Sequence, residues 1–194
     1  MDTKRLVPLV ALFLLLIVLV VLFFTGGKEK RLSPDTSVFA SESEEGVIEV
    51  RPTKTIVLYF LSENDYRLHP EEREIFTDIP EVDQIKQTLE EILNGSLNGG
   101  ISPLPEETRL RGIFFTPSGV LYVDFSRELY LNHMSGSAAE IATVFAIVNP
   151  LVRNFKSIQR VFILVEGTER ETLNGHIDLT RPLLPRYDLI AGGK

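Results

Sequence analysis

The sequence predicts an α+β domain: an open sheet in the order β-α-β-β-α-β with a C-terminal hairpin, two helices on one face, and one transmembrane helix in front. Three observations predict it. Residues 6–24, LVPLVALFLLLIVLVVLFF, form an unbroken apolar run. Four short runs further on are rich in β-branched and aromatic residues and read as strands. Between them lie two segments whose apolar residues recur at helical spacing.

The apolar run follows a short N-terminal segment, residues 1–5. As a helix its length of roughly 28 Å matches the ~30 Å hydrocarbon core. A secretory signal has a shorter apolar region of about 7 to 15 residues, so an uncleaved anchor is expected. Pro8 sits in the first turns, where a lost hydrogen bond matters least. Lys4 and Arg5 on one flank and Lys28, Lys30 and Arg31 on the other nearly cancel the positive-inside bias. The run's position at the start of the chain decides for a single-pass protein of the cell membrane with its domain on the extracytoplasmic side. Residues 25–53 are rich in Ser, Glu, Thr and Pro and read as a flexible tether with a reach of roughly 30 Å. Residues 54–190 have the size of one domain.

Within that domain, Thr55 to Leu61 (TIVLYFL) reads as a strand buried on both faces. The charged stretch after it is expected to stay a solvated loop. Asp78 and Pro80 start a helix that shows Val82, Ile85, Leu89, Ile92 and Leu93 on one face and stops at Asn94-Gly95. Arg109 to Phe115 and Val120 to Phe125 form a hairpin across Thr116-Pro117-Ser118-Gly119. Ser137-Ala138-Ala139-Glu140 has capping-box form and opens a second helix. Ile141, Val144, Phe145, Val148, Val152 and Phe155 give that helix its apolar face, and Pro150 predicts a kink or an end near Asn149. Arg160 to Val165 is another buried strand. Asn174-Gly175, inside Thr172 to Leu179, predicts the terminal hairpin.

Several segments together resemble the GerMN domain of sporulation and spore-germination proteins: TIVLYFLSEND, LHPEERE, EILNGS, SPLPEETRLRGIF, GVLYVDFSREL, SGSAAEIATVFAIVN and RVFILVEG. The resemblance covers nearly all of residues 54–190. Its most specific pieces are Val120 to Leu129, with Asp124, Ser126 and Leu129, and the SGSAAE helix followed by VFILVEG. It implies a non-enzymatic envelope module with a fold like the ring-building domains, used in assembling protein complexes between membranes or near peptidoglycan. The chain departs from the family in three respects. It has no cysteine to carry a lipid, it holds one copy where the spore protein holds two, and Pro150 stands where Thr is more usual.

The residues themselves bound the chemistry. With no cysteine, disulfides, thiolate nucleophiles and cysteine-based metal sites are excluded. A net charge of −7 argues against nucleic-acid binding, which depends on phosphate neutralisation. His69, His133 and His176 read as scattered loop residues rather than metal ligands. Asn98-Gly99-Gly100 lacks the Lys-Ser/Thr of a phosphate loop, so no cofactor is expected. Ser126 with His133 and Asp124 could make a hydrolase only if a sharp turn and oxyanion donors surrounded the serine, and no G-x-S-x-G is present. Glu63, Asp65, Glu71, Glu72 and Glu74 raise a glycosidase reading, yet a solvated charged loop provides no apolar pocket for a general acid.

A binding or assembly module remains, with its contact surface on an open sheet face or edge. The candidate interaction residues are Val120, Tyr122, Asp124 and Ser126 along one strand, with Glu166 and Gly167 in a nearby loop. The simpler reading for Val120, Tyr122 and Asp124 is that they line the outer sheet face. Expected partners are the membrane and either a second copy or another envelope protein. The alternative is a peptidoglycan-binding or glycan-processing accessory.

Overall fold

A computed structural model describes residues 51–192. The predicted membrane run at 6–24 and nearly all of the tether lie outside these residues. Among the described residues, no helix is long and apolar enough to cross a membrane.

The expected single sheet with both helices on one face is not formed; the domain is a mixed α/β fold with two sheets. Strand β1 (Thr53–Leu61) pairs antiparallel with β2 (Leu68–Phe76), and the two make a sheet of their own. Helix α1 (Glu81–Leu93) follows, ending where Asn94 and Gly95 turn the chain, with Gly95 at φ 83°. The second sheet has the order β3 (Leu110–Phe115), β4 (Val120–Phe125), β5 (Arg160–Val165), β6 (Thr168–Glu169). In it β4 and β5 run parallel, while the other neighbours are antiparallel. A one-turn helix α2 (Glu128–Leu131) and the long α3 (Ser137–Asn154) connect β4 to β5.

Strand β2 is the segment expected to be a charged loop. Its alternation is present but disguised: Leu68, Glu71, Arg73 and Ile75 are buried, whereas Glu72 and Glu74 are exposed. Two of the inward positions are an ion pair, Glu71 with Arg73, so their charges compensate each other away from water. Glu71 also accepts from the Ser96 hydroxyl at 2.6 Å and the Leu97 amide at 2.9 Å. Burial pushes its carboxyl upward, but the bonds from Ser96, Leu97 and Arg73 prevail and hold it below the usual carboxylate range.

Helix α3 packs against both β1 and β5 and so belongs to the core of both sheets. Every residue from Ala142 to Leu151 is buried, so this stretch is enclosed all round rather than amphipathic. It also continues past Pro150 to Asn154, without the expected end near Asn149. Two asparagines on it act as clamps. Asn149 donates to the Arg186 carbonyl at 3.0 Å and accepts from its amide at 2.8 Å. Asn154 does the same for Val57, donating at 2.9 Å and accepting at 3.0 Å, and so closes part of the outer edge of β1. A second Asn154 bond reaches the Pro150 carbonyl at 2.8 Å. Burial and these clamps outweigh the one backbone bond that the proline ring removes.

The capping box and the terminal hairpin are both replaced by one buried carboxylate. The N-cap of α3 is Gly136, with no side-chain cap bond. Glu140, fully buried, instead accepts from the amides of Leu173 and His176 at 2.9 Å and of Ile177 at 3.3 Å. Residues 172–179 therefore fold as a loop against the start of α3: the amides of Leu173, His176 and Ile177 turn to the carboxylate instead of a strand ladder, and the Leu179 amide closes the loop on the Glu171 carbonyl at 2.8 Å.

Candidate functional site

Strand β4 alternates strictly: Leu121, Val123 and Phe125 are buried, and Val120, Tyr122 and Asp124 face outward, half-buried. Register places Phe114 of β3 and Phe162 of β5 on either side of Tyr122. The three rings form a row, with centroids 6.1 Å apart for Phe114 and Tyr122 and 5.1 Å for Tyr122 and Phe162. Cross-strand aromatic pairs of this kind stiffen a sheet. Exposure grows along the row, from 4% at Phe162 to 65% at Phe114. A large apolar ring is thus presented to solvent on a rigid backing.

The other expected residues meet at one corner. Because β4 and β5 are parallel and in register, they finish at the same level, which sets Asp124 to Ser126 beside Val165 to Gly167. Glu166 and Gly167 form the tight turn into β6, with φ of 55° and 72°, the pair of left-handed conformations a two-residue hairpin uses. Arg111 reaches over this corner, donating to Asp124 at 3.0 Å and to Glu166 at 2.8 Å. The second oxygen of Asp124 accepts from the Gly167 amide at 2.8 Å, and that of Glu166 from the Arg127 amide at 2.9 Å. Ser126 accepts from the Arg109 amide at 3.0 Å, and its hydroxyl is the main reason the Glu128 carboxyl lies below its usual range. Asp124, Ser126, Glu166 and Gly167 are therefore brought together, while Val120 and Tyr122 lie on the same face toward the start of β4. Four oxygens on two carboxylates are committed to an arginine and to backbone amides. The corner ties three strands together.

The residues weighed for catalysis are scattered among other duties. His133 contacts the Thr143 hydroxyl at 2.9 Å and the Met134 carbonyl at 2.6 Å, while Ser126 is bound to Arg109. The other two histidines do have acidic partners: His69 meets Asp65 at 2.9 Å and His176 meets Glu140 at 3.0 Å. Among the described residues, no group of three or more His, Asp or Glu could hold a metal ion. Of the acidic cluster, Glu71 is buried against Arg73, and Glu74 accepts from Thr53 at 3.0 Å.

Two cavities flank these elements. One of about 470 Å³ is lined by Ile101, Pro103, Leu104, Ala139 and Thr143, with the exposed Glu106 and Glu107 also on its wall. Another, of about 300 Å³, is polar and includes Glu63, Asn64, His69 and Asn98.

Sequence reading missed Arg111, Phe114 and Phe162 as parts of this surface. Gly112 was the available signal: a glycine inside a strand marks a bulge, and the register shifts between Leu110 and Gly112. The bulge breaks the simple alternation of β3, so Arg111 cannot be assigned to a face by counting.

Residues 57–171 match the family described as Germane, sporulation and spore germination. No curated protein matches the chain. Among solved structures, the tandem GerMN domains of the sporulation protein GerM from Bacillus subtilis share 22% identity with a TM-score of 0.56. That match covers 71% of this chain and 48% of the tandem. The first GerMN domain of the same protein gives 22% identity and a TM-score of 0.52, covering 69% of this chain and 98% of that domain. At such identity the two structures speak for the fold, and the family match, which spans more than half the sequence, speaks for descent: the chain belongs to the Germane family of sporulation and spore germination and carries a GerMN-type domain.

Proposed function

We propose that this protein is a membrane-anchored, non-enzymatic interaction module of the cell envelope, which docks to or helps assemble a protein complex of the sporulation or germination type. The observation that carries the reading is Phe114, 65% exposed at the open end of an aromatic row. An aromatic side chain held on a sheet can bury much area at little conformational cost, which is how interface anchors work. The apolar run at 6–24 supports the anchor and an extracytoplasmic domain. The bonds that tie the Asp124 and Glu166 carboxylates to Arg111 and to backbone amides support a structural role for that corner.

A second reading, binding or processing of peptidoglycan, is favoured by the polar cavity at Glu63, Asn64 and Asn98, whose side chains suit hydroxyl and amide ligands. The two separate in one pair of measurements on the full chain in membranes. A photo-crosslinking residue beside Phe114 should capture protein, and Phe114→Ser should abolish capture while lowering stability by no more than about 1 kcal/mol, the scale of one cross-strand pair. Co-sedimentation with purified sacculi in the absence of any protein adduct would turn the assignment to the second reading.

A further inference from the structure

The larger cavity, about 470 Å³, has an apolar floor of Ile101, Pro103, Leu104 and Ala139 and an acidic margin of Glu106 and Glu107. Its size lies in the range of small binding sites. Its charge selects for a cation beside an apolar group.

The same chain displays that combination elsewhere. The segment Arg181-Pro182-Leu183-Leu184-Pro185-Arg186 is pinned at two points. Leu183 exchanges backbone bonds with Val161 at 2.7 and 3.0 Å, and Arg186 is held by Asn149 at 2.8 and 3.0 Å. Between the pins Leu184 protrudes, 60% exposed. The Arg181 side chain is 83% exposed and forms a surface ion pair with Asp178 at 3.4 Å, one weak enough in water to be exchanged for another carboxylate. Two prolines restrict the backbone further. A leucine displayed on such a fixed segment has already given up most of the freedom that docking removes.

We propose that the cavity receives the Arg181–Pro185 segment of a second copy of this chain, with Leu184 on the apolar floor and Arg181 against Glu106 and Glu107. The inference rests on the assembly reading above and names the partner in it. Cavity and segment are different patches, so the contact is head to tail and repeats into chains or closed rings instead of ending at a dimer. One leucine and one ion pair bury less area than a stable interface, so the contact is weak and gains from confinement of the copies. Salt weakens it further, because the Arg181 pair lies near the surface.

The experiment follows sedimentation of the full chain in detergent against protein concentration. Glu106→Lys with Glu107→Lys removes the acceptor, and Arg181→Glu removes the donor; all three positions are exposed, so folding is preserved. Each variant alone should need roughly tenfold more protein to associate, about 1.4 kcal/mol on the tenfold scale. An equimolar mixture of the two should regain association, since the lysine-bearing cavity then meets the glutamate-bearing segment. If neither reversal weakens association, or the mixture fails to restore it, the head-to-tail contact is wrong. Association that ignores these reversals but is lost in Phe114→Ser would overturn this contact and leave the assembly reading standing. A wild-type chain that stays a single species at every concentration and captures no protein at Phe114 would overturn both.

Discussion

Glu140 and Arg111 each gather several partners, and their surroundings give them different weight. Glu140 is fully buried and accepts from the amides of Leu173, His176 and Ile177, with the Asn174 amide also acting on it and His176 adding a ring contact at 3.0 Å. Burial pushes its carboxyl upward, yet the amides of Asn174, Leu173, Ile177 and His176 outweigh burial and hold it below the usual range. A carboxyl depressed in this way stabilises the fold above its unfolded value of about 4.3, and that contribution is lost as pH falls through the lower folded value. Unfolding midpoints should therefore drop as pH falls below about 4.3, with Glu71 adding in the same direction. Glu140→Gln should flatten part of this drop and lower stability at neutral pH by about 2–4 kcal/mol, because an amide nitrogen then faces the His176 amide. Denaturant unfolding of wild type and variant at pH 7 and at acid pH reads both effects; a variant as stable as wild type at pH 7 would show that the loop is held by something else. Arg111 makes two side-chain bonds, both at the surface, where exposed ion pairs contribute little. Arg111→Ala should leave the same midpoint almost unmoved.

At the scale of elements, what the sequence reveals depends on whether a pattern closes within the element. Helix α1 and the β3–β4 hairpin are legible because their apolar periods and turn residues are local. Strand β2 is not, since its inward Glu71 and Arg73 look polar until each is seen to neutralise the other and to bind the loop after α1. Residues 172–179 mislead in the opposite sense: Asn174-Gly175 is a sound hairpin signal, overruled by a carboxylate that lies more than thirty positions away in sequence. Of the candidate surface, Val120, Tyr122 and Asp124 follow from alternation, whereas Arg111 and Phe162 depend on a bulge and on parallel register. Of the kink or end that Pro150 predicts for α3, the end near Asn149 does not occur, and the helix is held from outside by Asn149 and Asn154. Asn149→Ala removes a fully buried side chain and leaves both backbone groups of Arg186 without their partner, and should cost about 2–3 kcal/mol. Asn154→Ala, at a part-buried edge where water can substitute, should cost about 1 kcal/mol. Chemical denaturation ranks the two, and equal losses would mean that the edge of β1 is less open to water than its bonding implies.

For the whole molecule, the consequence of two sheets is cooperativity through the helices that touch both, chiefly α3, with α1 reaching β1, β2 and β3. The two sheets are not joined in a common ladder; α3 packs on both, with Val144, Ile147, Val148 and Leu151 fully buried. Neither sheet can keep its apolar face dry if α3 leaves. The described domain should therefore unfold in a single transition, with β1–β2 and β3–β6 losing amide protection together. The loop at 172–179 is different, because it contributes few apolar side chains beyond Leu173 and Leu179 and is fastened chiefly by the Glu140 carboxylate. It should open at lower free energy than the sheets, and Glu140→Gln should speed exchange there more than at any strand. Hydrogen exchange of the full chain in detergent tests both statements at once. Two separately exchanging sheets would show that α3 does not couple them, and a loop as protected as the strands would show that its closure is part of the common core.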